Sequence, residues 1–189
     1  MSSTNSLVEI RWHGRGGQGA VTSAELVALA AISEGRYAQA FPSFGPERRG
    51  APVLAFNRIS ESQPIRLRAE IEEPDVVVVL DPSLLGTVDV TAGLRAGGIA
   101  IFNTRRSPKE IKFRLGLSGR VATVDAARIA LENLRVPITN TTMVGALVRA
   151  TGVVKLESLI EPLRHRFGQL AERNIQAMKL AYDQIAIEE

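Results

Sequence analysis

The chain has 189 residues, with 23 Lys and Arg against 20 Asp and Glu, two His and no Cys. At about 150 residues per domain, this length predicts one domain, residues 1–189, with a core of its own. The lack of cysteine excludes disulfides, thiolate catalysis and cysteinyl iron–sulfur ligation within the chain. The longest apolar run, residues 26–32, is far shorter than the roughly 20 residues of a membrane span. Because the polar start also lacks a signal-peptide pattern, we expect a cytoplasmic protein without membrane insertion.

The basic residues are 19 Arg and only 4 Lys. The planar fork of arginine suits carboxylates and phosphates, although a GC-rich genome produces the same bias. There is no block of like charge, and aromatic residues make up only 5% of the chain. We therefore expect no binding to nucleic acid.

Apolar and β-branched segments alternate with helical patterns along the chain. The apolar run at 76–80 fits a strand that is buried on both faces, as in a parallel sheet. This alternation predicts an α/β fold: a mainly parallel, helix-covered, Rossmann-like sheet with a helical C-terminal tail. Strands are predicted at residues 7–12, 36–41, 51–59, 76–80, 98–102 and 121–124, and helices at 20–33, 88–96, 125–134, 141–150, 157–167 and 169–187.

A glycine-rich loop lies between the first predicted strand and the first predicted helix. Its glycines, Gly14, Gly16 and Gly19, match the dinucleotide-binding fingerprint. Such glycines let the backbone turn tightly and approach an anion, and the helix N-terminus offers free N–H groups and a positive dipole. Arg15 adds a full positive charge within the loop.

Two features depart from the established nucleotide motifs. The acid expected at the end of the second strand is missing, because Glu34 precedes Gly35 at the end of the helix. Ala20 and Val21 stand where a P-loop requires Lys and Ser or Thr. A phosphate or pyrophosphate contact and a tight turn without a ligand both remain open.

A second loop, residues 42–50, holds two prolines, two glycines, Phe44 and the adjacent Arg48 and Arg49. The arginines can pair with phosphates or with carboxylates of a partner chain, or they are simply solvated. Because this loop also follows a strand, we expect it beside the glycine loop at one edge of the sheet, where ligands of open parallel sheets bind. Residues 81–82 and 103–106 are expected at the same edge.

A third dense stretch surrounds Asn140, at the start of a predicted helix. Asn140 or Thr141 is a natural N-cap, and Gly145 would allow a close approach to a neighbouring helix. His13 and His165 have no acid or nucleophile nearby in the sequence, so both are interpreted as structural.

Four segments together carry a resemblance to a known family: residues 9–20 (EIRWHGRGGQGA), 39–52 (QAFPSFGPERRGAP), 74–81 (PDVVVVLD) and 140–152 (NTTMVGALVRATG). In this order, and at this length, the chain resembles the gamma subunit of 2-oxoacid:acceptor oxidoreductases, of which pyruvate:ferredoxin oxidoreductase is the best-known example. The first two segments are the most specific, and the resemblance covers nearly the whole chain.

The resemblance implies a gamma-type domain that is inactive alone and works with alpha, beta and delta subunits. The family reaction is oxidative decarboxylation of a 2-oxo acid with coenzyme A, giving an acyl-CoA, CO2 and two electrons for ferredoxin or another acceptor. The substrate would be pyruvate or another 2-oxo acid, such as an aromatic or branched-chain one. Thiamine diphosphate with Mg lies in the alpha and beta components, and [4Fe-4S] clusters lie in the beta and delta components. The gamma chain is associated with coenzyme A binding and with closure of the active-site entrance.

The predicted site therefore holds ligand-binding residues but no catalytic residue and no metal ligand of its own. Two other functions remain open: a structural assembly subunit without a ligand, and a stand-alone nucleotide-binding protein. The candidate binding residues are Gly14, Arg15, Gly16, Gly17, Gln18, Ser43, Phe44, Gly45, Arg48, Arg49 and Asn140.

Overall fold

The fold is built on one mixed sheet. The computed structural model describes residues 7–43 and 49–189. In the described residues the strand order is β2-β3-β1-β4-β5-β6-β7. The strands are β1 (Leu7–Arg15), β2 (Tyr37–Pro42), β3 (Pro52–Ser60), β4 (Val76–Val79), β5 (Ile99–Asn103), β6 (Arg120–Val124) and β7 (Ala186–Glu188).

Strand directions confirm the predicted α/β class. Strands β1, β4, β5 and β6 are parallel neighbours. Strand β3 runs antiparallel between β1 and β2, so β2 points the same way as β1. Strand β7 pairs antiparallel with β6 at the other edge. The sheet is therefore mainly parallel in direction, with antiparallel pairings toward both edges.

Helices cover both faces of the sheet, and most of them lie on one face. On that face, Ile10 and Trp12 of β1 and Val78 of β4 pack against α1, α4 and α6. On the opposite face, Val77 and Phe102 pack with side chains from the β4–β5 connection and α2. The helices are α1 (Ala20–Ser33), α2 (Pro108–Leu115), α3 (Ala126–Leu134), α4 (Asn140–Thr151), α5 (Ile160–Phe167) and α6 (Ala171–Gln184). None of the described helices is both long and apolar enough to cross a membrane.

The prediction of a helix at residues 88–96 is wrong. A short 3-10 helix, Pro82–Gly86, follows β4 instead, and turns lead from it to β5. The backbone at Gly93 has a φ of 73°, and a Cβ there would lie 2.1 Å from the carbonyl oxygen of Glu72. Glycine is therefore required where the connection passes Glu72, and the left-handed φ of Gly93 interrupts any helix over residues 88–96.

The sequence prediction omitted α2, although its start carries a recognisable signal. The Ser107 hydroxyl accepts from the Glu110 N–H, the Glu110 carboxylate accepts from the Ser107 N–H, and Pro108 occupies the first turn. The predicted cap at Asp125 is confirmed, because its carboxylate accepts from the Arg128 N–H.

The helical C-terminal region is confirmed, but the last helix ends earlier than predicted. Helix α6 stops at Gln184, Ile185 is extended, and Ala186–Glu188 form β7. Residues 186–188 thus pair with the edge of β6 instead of extending the helix.

Candidate functional site

The predicted site lies at the edge of the sheet where β1 and β4 end. From β1 the chain passes through α1 to β2 and β3 on one side, whereas β4, β5 and β6 continue on the other. This reversal of direction is the topological switch point at which open α/β sheets bind ligands. The Gly16 N–H donates to the Ala51 carbonyl at 2.9 Å, and the Gly50 N–H donates to the Gly16 carbonyl at 3.2 Å. The two predicted loops therefore meet at one edge, as expected.

Glycine is required at two positions of the glycine loop. Gly17 has a φ of 93° and Gly19 a φ of 83°, both in the left-handed region that other residues rarely adopt. A Cβ on Gly19 would also lie 2.6 Å from Nδ2 of Asn140. Gly19 is the N-cap of α1 and supplies no side-chain acceptor for the first turn of the helix. The loop thus leaves the positive end of α1 without a side-chain cap.

Gln18 ties the glycine loop to the end of the neighbouring parallel strand. Its Oε1 accepts from the Arg15 N–H at 2.7 Å, and its Nε2 donates to Oδ2 of Asp81 at 2.7 Å. The Gln18 N–H closes a turn by donating to the Arg15 carbonyl at 3.0 Å. The loop is therefore held in one conformation by a side chain from within it.

Arg15 is positioned by several partners at this edge. Its Nε lies 3.3 Å from Oδ2 of Asp81, and Nη2 donates to the Ser83 hydroxyl at 2.9 Å. Nη1 donates to the Gly50 carbonyl at 3.1 Å. Partial burial alone would raise the pKa of Asp81, but hydrogen bonds from Ser83 and Gln18 and the charge of Arg15 outweigh it, so the pKa is lowered. Asp81 stays ionised and orients Arg15 over the loop.

A small cavity of about 160 Å³ lies beside this network. It is bounded by the glycine loop, by the ends of β4 and β5, and by the starts of α3 and α4. Asn103 braces it by donating to the Leu80 carbonyl at 2.9 Å and accepting from the Ala127 N–H at 3.1 Å. Its lining includes Gln18, Asp81, Asn103, Ala127, Ile138 and Thr139.

The described part of the second loop lies at the same edge. The Ser43 hydroxyl donates to Oε1 of Glu70 at 2.6 Å. Arg49 is exposed, and its backbone forms an isolated parallel β-bridge with Gly16. The predicted residues Phe44, Gly45 and Arg48 lie outside the described residues. At the end of β5, the exposed Arg105 pairs with Asp125 at 3.1 Å.

Asn140 reaches the site by a different route from the one predicted. The prediction that Asn140 or Thr141 is the N-cap of α4 is wrong, because Thr139 holds that position and makes no side-chain cap. Asn140 is the buried first residue of α4, its side chain lies against Gly19, and its carbonyl accepts from the Ser23 hydroxyl at 3.2 Å. It joins the starts of α1 and α4.

Comparisons with known proteins agree on one family. A model of the pyruvate ferredoxin/flavodoxin oxidoreductase family matches residues 9–184. The chain belongs to this family. It is similar to the common gamma subunit of the pyruvate/ketoisovalerate oxidoreductases of Thermococcus kodakarensis, with 57% identity over 97% of this chain and all of the relative. The gamma-type resemblance drawn from the sequence is confirmed.

Solved structures of the oxidoreductase family share the fold. Subunit PORC of pyruvate oxidoreductase from Thermotoga maritima matches with a TM-score of 0.87 and 39% identity, over 98% of this chain and all of that one. A 2-oxoglutarate:ferredoxin oxidoreductase from Magnetococcus marinus, solved with 2-oxoglutarate, coenzyme A and succinyl-CoA, matches with a TM-score of 0.73 and 19% identity. The match covers 96% of this chain and 30% of that larger one, and shows the fold alone.

His13 lies close to the glycine loop in this oxidoreductase chain, but on the opposite face of the sheet from α1. It is 4% exposed, and its Nε2 accepts from Nε of Arg11 at 3.1 Å. Burial and the positive charge of Arg11 lower the pKa of His13 from 6.5 to about 3, and the charge of Asp89 offsets only part of this shift. Sequence reasoning took His13 as structural and missed this environment, although charged and polar residues alternate with Ile10 and Trp12 along β1.

The neutral state of His13 predicts a loss of stability in mild acid. Unfolded His13 takes up a proton below pH 6.5, whereas the folded residue does so only near pH 3. Stability is thus fully present above pH 6.5 and falls by roughly 1.4 kcal/mol per pH unit below it, or about 2 kcal/mol between pH 7 and pH 5. In His13→Gln, urea unfolding should show a free energy that falls less steeply over this range. His165→Gln, at an exposed histidine, should keep the wild-type slope, and equal slopes for all three proteins would refute the assignment.

Proposed function

We propose that this chain is the gamma subunit of a multi-subunit oxidoreductase that acts on pyruvate or ketoisovalerate, with ferredoxin or another acceptor. The supporting observation is the similarity to a gamma subunit over the full length of both chains, at 57% identity. In this proposal residues 1–189 form one gamma-type domain, and alpha, beta and delta subunits supply the rest of the enzyme.

The redox and thiamine cofactors are assigned to those other subunits. The sequence contains no cysteine, so cysteinyl ligands of [4Fe-4S] clusters must come from other chains. Within residues 7–43 and 49–189, no three His, Asp or Glu residues lie together as metal ligands. Thiamine diphosphate and its Mg would likewise be held by partners, where they supply the decarboxylation chemistry.

The contribution of this chain is coenzyme A binding at the glycine loop. The uncapped start of α1 and the fixed guanidinium of Arg15 are both suited to phosphate groups. Asp81 neutralises part of the Arg15 charge, so the exposed Arg49 and Arg106 supply the remaining positive charge near this edge. We assign Gly14, Gly16, Gly17 and the second loop to the same site.

A free dinucleotide fits this edge less well. The ribose-binding acid of a dinucleotide site stands at the end of the second strand, and β2 ends in Phe41 and Pro42. Asp81 lies instead at the end of β4, where it is engaged by Gln18 and Arg15. The negatively charged 3′-phosphate of coenzyme A requires cationic partners, and the arginines at this edge of the sheet supply them. We further propose that the two loops help to close the entrance to a catalytic centre on a partner subunit.

Hydrogen exchange and Arg15→Gln test this function on the purified complex. Coenzyme A should protect residues 13–20 and 49–54, whereas NAD should not. Arg15→Gln should weaken coenzyme A binding by roughly 10- to 100-fold, since a charge-assisted hydrogen bond contributes about 1.5–3 kcal/mol. Arg164→Gln removes an exposed arginine on α5 and serves as the matched control. Protection by NAD alone would support the nucleotide-binding alternative, and protection by neither would favour an assembly role.

A further inference from the structure

Arg11 is a buried arginine whose donors are all engaged. Its side chain lies on the opposite face of β1 from Trp12, and the residue is 7% exposed. Nε donates to Nε2 of His13 at 3.1 Å. The other donors reach four backbone carbonyls: Nη1 donates to Ile71 and Glu72, and Nη2 to Val90 and Ala92. Since a guanidinium has five N–H groups, Arg11 has none left for a ligand.

This contact decides the tautomer of His13. Arginine cannot accept a hydrogen bond, so Nε2 of His13 carries the lone pair and Nδ1 carries the proton. Within the described part of the chain, Nδ1 donates to no other group. Because the pKa of His13 is lowered to about 3 by burial and by Arg11, the ring stays neutral at physiological pH. His13 thus offers one fixed, uncharged N–H donor.

His13 lines a cavity of about 520 Å³, which we call the His13 cavity. Its surface is mainly apolar and includes Leu54, Leu84 and Val88, and its two charged residues, Arg11 and Asp89, have opposite signs. The cavity also reaches Pro52, which pairs with Arg15 across β1 and β3. Because Val21 at the start of α1 also lines it, the cavity begins next to the glycine loop and extends from there to His13 and Arg11.

We propose that the His13 cavity binds a neutral aliphatic chain that carries amide carbonyls, and that the Nδ1–H of His13 donates to one of them. The inference rests on the proposed function, under which this chain is the pantetheine arm of coenzyme A and the nucleotide lies at the glycine loop. Pantetheine matches the cavity in three respects: it has apolar methylene and methyl groups, it has carbonyl acceptors, and it carries no charge.

Other ligand chemistries fit the cavity less well. A carboxylate would find no free N–H on Arg11, and the positive charge of Arg11 is already balanced by the negative charge of Asp89. A purely apolar ligand would cover the N–H of His13 without giving it a partner, which is costly. A neutral acceptor on an aliphatic chain satisfies both conditions.

Two variants of the complete complex test the proposal separately. His13→Gln supplies an amide oxygen as acceptor for Arg11 and replaces the ring Nδ1–H by amide N–H groups at a different position, and Val88→Phe fills the cavity. Calorimetric titrations compare coenzyme A with adenosine 3′,5′-bisphosphate, which lacks the pantetheine arm. His13→Gln should weaken coenzyme A binding by about 3- to 10-fold, the range for one neutral hydrogen bond, and Val88→Phe by at least as much. Neither variant should change binding of the bisphosphate. His165→Gln is the matched control and should behave as wild type.

The outcomes separate this inference from the proposed function. If Arg15→Gln weakens coenzyme A binding while His13→Gln and Val88→Phe do not, the inference is wrong and the proposed function stands. If only Val88→Phe has an effect, the assigned role of His13 is wrong. If Arg15→Gln, His13→Gln and Val88→Phe all bind coenzyme A as wild type does, both proposals fail.

Discussion

Glu9→Gln should destabilise the protein by about 3–5 kcal/mol, the usual cost of removing one partner from a buried ion pair. The Glu9 carboxylate accepts from Arg58 at 2.7 Å and from Arg95 at 2.8 Å. Arg58 is only 1% exposed, so its charge would remain buried without a counter-ion. Arg95 would keep its contact with Asp75 at 3.1 Å. The free energy of urea unfolding measures the effect.

The matched control breaks an ion pair in solvent. Glu132→Gln removes the partner of Arg128 within the exposed face of α3, where both side chains are about half exposed. Exposed pairs of this kind contribute about 0.3–0.5 kcal/mol. Equal losses in Glu9→Gln and Glu132→Gln would contradict the view that burial gives the Glu9 pair its importance.

Gly145→Ala should destabilise the protein by about 3 kcal/mol, although alanine is the better helix former by about 1 kcal/mol. A Cβ on Gly145 would lie 1.9 Å from the backbone oxygen of Met178, where α4 crosses α6. A backbone cannot move aside as a flexible side chain can, so the two helices must separate. The midpoint of thermal unfolding should fall accordingly.

Gly86→Ala is the control for this prediction, since Gly86 has no atom within 4 Å of an added Cβ and no positive φ. It should leave stability within about 0.5 kcal/mol of wild type. A stabilised Gly145→Ala variant would mean that helix propensity outweighs packing at this crossing.

Local signals in the sequence were sufficient for much of the fold and for the place of the site. The apolar run at 76–80, the glycines before α1 and Asp125 before α3 each act through neighbours in the chain. Gly145 was also read correctly as a point of close helix approach. These features depend on backbone conformation and burial, which local sequence encodes.

Contacts between distant segments account for most of what the sequence did not predict. The pairing of Gln18 with Asp81 spans 63 residues, and nothing near either residue identifies the other. The same holds for Arg11, whose carbonyl partners lie 60 to 81 residues further on. A helix was predicted at residues 88–96, but Gly93 has a left-handed φ where the backbone passes close to Glu72, and turns form instead.

The carbonyl shell of Arg11 also has a consequence for how the chain assembles. The guanidinium donates to carbonyl oxygens of residues 71–72 and of residues 90 and 92. These belong to two irregular segments, one before β4 and one after it in sequence. If either segment detached, the buried Arg11 side chain would lose half of its carbonyl partners, so each segment stabilises the position of the other through Arg11. Residues 71–73 and 88–95 should therefore open together as one cooperative unit, with matching rates of amide exchange, even though neither segment is a regular helix or strand.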